Sequence, residues 1–153
     1  MKKLLHMFGA IIATLCIATF FSSSLLTELF GSPAQVATVK SLIVFPGLWL
    51  LIPAMIATGA SGSAMGRAGK LVQQKQKRMK IVAANGLLIL LPCALVLNSL
   101  AAAGEFTLTF YLLQALELLS GAGNLVLMGL NIRDGLKLSG RGKKRQPSTL
   151  TGK

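Results

Sequence analysis

Four carboxylates, one histidine and two cysteines are the residues of this 153-residue chain with the clearest capacity for chemistry. Glu117 is the most informative. It lies midway along an apolar stretch, about residues 106–130, that holds no other charge. A carboxylate surrounded by hydrocarbon is costly unless it is neutral, paired or hydrated. Its neighbours in helical register are polar. Gln114 and Ser120 stand three residues to either side, and Asn124 and Asn131 follow at intervals of seven. Residues at these spacings share one helix face. Gly121 and Gly123 lie beside the stripe, where small residues let another helix approach closely. Asn85 lies about one turn inside the third apolar stretch, at a depth matching His6, Asn124 or Asn131. The set predicts a buried polar site made of Glu117, Gln114, Asn124, Asn85 and Asn131. It would serve as a proton relay, a ligand contact or a set of interhelical hydrogen bonds.

Two further groups are set apart. Lys40 is expected to form an outer ion pair with Glu28, with Glu105 as a second partner at the same level. Cys16 and Cys93 form no CxxC and read as small apolar fillers. The methionines show no regular spacing, and no zinc spacing, phosphate loop or Ser-His-Asp set is present, so no metal site is read.

His6 is the only histidine. It follows Lys2 and Lys3 at the entrance of the first apolar stretch. A histidine there is either an interfacial group near lipid headgroups or a haem ligand. The run Leu4-Leu5-His6-Met7-Phe8-Gly9 resembles the opening of the first helix in four-helix membrane redox families. These include b-type cytochromes and related haem-pathway and copper-resistance membrane proteins. The resemblance implies haem b held through His6. The later histidines of those families are missing here, so a methionine or a second protomer would have to supply the other ligand.

The elements that must position these residues are legible from composition. Hydrophobic residues make up 53% of the chain and charged residues 13%. Soluble domains carry about 25% charged residues. The mean hydropathy is +0.67, and the apolar residues fall in long blocks. Blocks of this length predict membrane spans at about residues 5–26, 41–60, 81–103 and 106–130. Lys2 and Lys3 precede an uninterrupted first block, which is read as an uncleaved span rather than a signal peptide. Ser32 followed by Pro33 predicts a helix start. Pro46, Pro53 and Pro92 predict kinks. Gly47 to Pro53 echoes Gly86 to Pro92 in a short Leu-rich pattern. Trp49 is expected to be packed, and Tyr111 to lie in an outer interfacial belt.

The net charge of +12 would suggest nucleic acid in a soluble protein. Its distribution argues against that partner. Two basic residues precede span one, six lie between spans two and three, and seven follow span four. Only Lys40 is left for the other side. Basic residues resist translocation, so both termini are expected in the cytoplasm. The basic segments would then meet anionic headgroups.

The expected protein is an all-α, polytopic four-transmembrane-helix bundle over residues 1–138, with a basic, disordered tail over 139–153. Its location would be a bacterial-type inner (plasma) membrane, as a homo-oligomer or part of a larger membrane complex. The expected function is a non-enzymatic subunit, or a protein binding lipid or another apolar ligand. The alternatives are a haem b redox protein using His6 and a small oligomeric proton-coupled transporter using Glu117.

Overall fold

The structure is a computed structural model, and it describes residues 2–64 and 69–143. Every regular element is helical: α1 (Lys2–Phe30), α2 (Pro33–Leu42), α3 (Leu48–Ala64), α4 (Lys70–Asn85), α5 (Leu91–Ala102) and α6 (Leu108–Lys143). Wide π-helical turns at Ile43–Gly47 and Gly86–Leu90 join α2 to α3 and α4 to α5. The result is four rods. Their stretches Leu4–Phe30, Pro33–Gly62, Lys70–Ala102 and Leu108–Lys137 are each long and apolar enough to cross a membrane.

Local chemistry explains the boundaries. Ser32 caps α2: the Gln35 backbone N–H donates to Ser32 Oγ (3.4 Å), and the Ser32 N–H donates to Gln35 Oε1 (2.8 Å). Pro33 then fills the first helical position, where its missing N–H is no loss. At Phe45 the backbone leaves the helical region (φ −139°, ψ 120°), just before Pro46. Pro53 is carried inside α3 without a break. The turn before α6 rests on Gly104, whose φ of +74° suits a residue without Cβ. The basic segment from Lys70 is helical: it is the first part of α4, which runs to Asn85 at the start of the third apolar stretch. Helix α6 continues past Leu130 to Lys143, and the rest of the basic tail, 144–153, lies outside the described residues, as do Met65 and Arg67.

Two apolar clusters form the core. One joins Ala13, Ile17, Ala54, Val82 and Met128. The other joins Val36, Cys93, Leu97, Ala101 and Phe110. Judged by position along each helix, the polar residues Ser24, Lys40 and Glu117 fall between them. Helix α1 packs most extensively on α3. Gly9 makes this possible: a Cβ there would lie 2.7 Å from Thr58 Oγ1 and 3.0 Å from the Ala54 carbonyl. The exterior is apolar as well. Leu15, Leu88 and Leu119 are 61%, 71% and 74% exposed. Trp49, expected to be packed, is also on the outside, 74% exposed and forming an edge-to-face ring pair with Phe45 at 6.3 Å between centres.

Candidate functional site

Lys40 sits two turns into α2, with its side chain 1% exposed. Its Nζ donates to Glu117 Oε2 at 2.5 Å and to Ser24 Oγ at 3.2 Å. Three helices therefore meet at one ammonium group. The expected pairing of Lys40 with Glu28 or Glu105 is corrected: its ion pair is with Glu117. Counting turns from Pro33 placed the Lys40 backbone near the outer level. A four-carbon stem carries the charge further inward, as such stems commonly do. Glu105 is exposed in the turn, and Glu28 Oε1 is buried with no hydrogen-bond partner. The pairing neutralises the Glu117 carboxylate without leaving a charge alone in the bundle.

About two turns further along α6, a second polar link ties α4 to α6. Asn85 Nδ2 donates to Asn124 Oδ1 (2.9 Å) and to the Ser120 carbonyl (3.0 Å). Asn124 Nδ2 donates in turn to the Val82 carbonyl (3.4 Å). Depth matching in the sequence had left Asn85 a choice of partners, and Asn124 is the one it meets. Gln114 and Asn131, the ends of the stripe, are 3% and 4% exposed. Neither makes a hydrogen bond through its side-chain amide. The stripe thus faces inward, but it is no continuous chain of contacts.

The ion pair and the asparagine link border a cavity of about 440 Å³ between the four rods. Ser24, Glu117 and Asn124 are its only polar lining residues; the rest are aliphatic, aromatic, Gly or Met. That volume falls in the range of small-molecule sites, roughly 300–1,000 Å³, and the few convergent polar groups on an apolar wall fit the same class. No family model, curated protein or solved structure matches this chain. Chemistry alone must therefore supply the reading.

A second, smaller chamber of about 60 Å³ lies towards the other end of the bundle. It shares only Met55 with the larger cavity. His6 lines it, with Nδ1 3.0 Å from the Thr58 carbonyl and 3.4 Å from Ser61 Oγ. His6 therefore does not join Asn85 or Asn124. The haem expectation rests on His6, and His6 lines this smaller chamber rather than the larger cavity. Beyond the chamber, Arg78 of α4 donates to Asp134 Oδ2 of α6 at 2.6 Å, and Arg133 reaches Asp134 Oδ1 at 3.3 Å.

Glu117 is held by a lysine rather than set beside a nucleophile. Among the described residues, no three of His, Cys, Asp and Glu group as ligands for a metal. Sequence reasoning missed Ser24 and the inward reach of Lys40. The available signal was that Lys40 is the one basic residue away from the basic segments.

Proposed function

We propose that the chain is a polytopic membrane protein with both termini on the cytoplasmic side, and that it binds an amphipathic apolar ligand without transforming it. A lipid or a quinone-like molecule has the required chemistry. The observation that carries this reading is the 440 Å³ cavity, walled by hydrocarbon and bearing polar groups at Ser24, Glu117 and Asn124. An apolar chain gains by filling it, and a hydrogen-bonding head gains at the Glu117 side. The apolar exterior and the one-sided basic residues support insertion with both ends inside. Anionic headgroups would meet the start of α4 and the tail.

Gly86 offers a direct test. It lines the cavity, and a Cβ there would meet only the Met55 methyl, at 3.9 Å. Gly86→Leu is expected to fill the space while leaving the helices intact. Mass analysis of the detergent-purified protein should show a bound lipid or quinone that is absent from Gly86→Leu. Equal amounts in both proteins, or none in the parent, would remove this reading.

A further inference from the structure

The smaller chamber has a donor set of its own. Its lining includes His6 from α1, Met55 from α3, Met79 from α4, and Met128 and Asn131 from α6. A carbonyl oxygen can only accept, so the contact from His6 Nδ1 to the Thr58 carbonyl places the N–H on Nδ1. In the neutral ring Nε2 is then left with a bare lone pair. Metal-binding histidines are commonly oriented in this way, through a backbone carbonyl on the other nitrogen. Thr58 is itself fixed, its hydroxyl donating to the Ala54 carbonyl at 2.7 Å.

A second observation points to an occupant. Asn131 is 4% exposed, lines the chamber, and has neither amide atom hydrogen-bonded. A buried amide left so is costly, and such groups commonly mark an ion or water. Water would satisfy Asn131 but gain little from three thioethers, which are weak acceptors. A hard cation needs carboxylate oxygens, and Asp134, the nearest in sequence, is taken by Arg78 and Arg133. Structural zinc needs more thiolates or imidazoles than the chamber holds. Thioether and imidazole donors suit a soft d¹⁰ cation. Lys75 also lines the chamber, and its ammonium opposes a divalent ion there more strongly than a monovalent one.

The geometry points to a site for a soft monovalent cation of the Cu(I)/Ag(I) class, formed by His6, Met55, Met79, Met128 and the Asn131 carbonyl. Sequence spacing did not reveal it because the three methionines come from three different helices. Silver(I) is the probe of choice, since it undergoes no redox change. Cys16 and Cys93 are both replaced by alanine, so that no thiol competes. Native mass spectrometry of this full-length, detergent-solubilised protein is expected to retain one Ag(I) per chain. A chelator competition should show affinity falling at least about 10-fold in His6→Ala, since losing a ligand costs no less than losing an outer-shell partner, and falling likewise in Met79→Leu/Met128→Leu. The leucine swaps conserve volume, and unchanged circular dichroism verifies the fold. Met7→Leu, outside the chamber, is expected to bind as the parent does. A parent that retains no silver overturns the site, as does a Met79→Leu/Met128→Leu protein of undiminished affinity.

Discussion

Glu117→Leu is expected to destabilise the protein by about 3–5 kcal/mol, because it strands the Lys40 ammonium inside the bundle. The geometry is unfavourable for rescue. Lys40 is 1% exposed, and its one remaining hydrogen bond is to a hydroxyl, Ser24 Oγ, at 3.2 Å. Lys40→Met should cost a similar amount by stranding the carboxylate, which is 11% exposed. The double variant Lys40→Met/Glu117→Leu removes both charges and fills their space with hydrocarbon. Replacing a buried pair in this way is often neutral or stabilising. Denaturant unfolding in mixed micelles across the four proteins gives the coupling directly. Two severe single losses with recovery in the double variant are expected. Single losses that simply add would mean the two charges are stabilised separately.

The second large effect is steric. Gly9→Leu should cost at least about 1–3 kcal/mol, the usual range for overpacking. The reason is that the atoms in the way belong to the α3 backbone as well as to a side chain. The Ala54 carbonyl would lie 3.0 Å, and the Thr58 amide nitrogen 3.3 Å, from the new Cβ. Backbone cannot rotate aside, so α1 must move off α3, and the His6 contact to Thr58 goes with it. Gly123→Ala is the control. A Cβ there meets nothing within 4 Å, so it should be neutral or gain up to about 1 kcal/mol in helix propensity. Thermal unfolding of the purified variants separates the two. Equal behaviour at Gly9 and Gly123 would mean that the close approach of α1 to α3 is not required.

Much of the architecture was legible because hydrocarbon-length helices write themselves into local sequence. The four apolar blocks and the Ser32-Pro33 start depend on neighbouring residues alone. The inward face of α6 was legible too. Gln114, Asn124 and Asn131 keep a seven-residue spacing with Glu117 or stand one turn from it, and all three are buried. What stayed hidden depends on which helices touch. Lys40 and Glu117 are 77 positions apart, and depth counted along the backbone cannot show how far a lysine stem reaches. Met55, Met79 and Met128 look scattered in sequence because each serves a different helix. Trp49 was misjudged for a related reason. It lies within the second apolar block as expected, but position along the block does not say which side of α3 it occupies, and it is 74% exposed.

In the proposed arrangement hydrocarbon surrounds the apolar exterior of the rods and the basic segments share one side. Single cysteines at Gln74, Glu105 and Ser148, in the chain lacking Cys16 and Cys93, test this on intact cells with a membrane-impermeant maleimide. The account predicts labelling at residue 105 alone, with residues 74 and 148 reacting only after the cells are opened. Labelling of residue 74 on intact cells, with residue 148 protected, would contradict it.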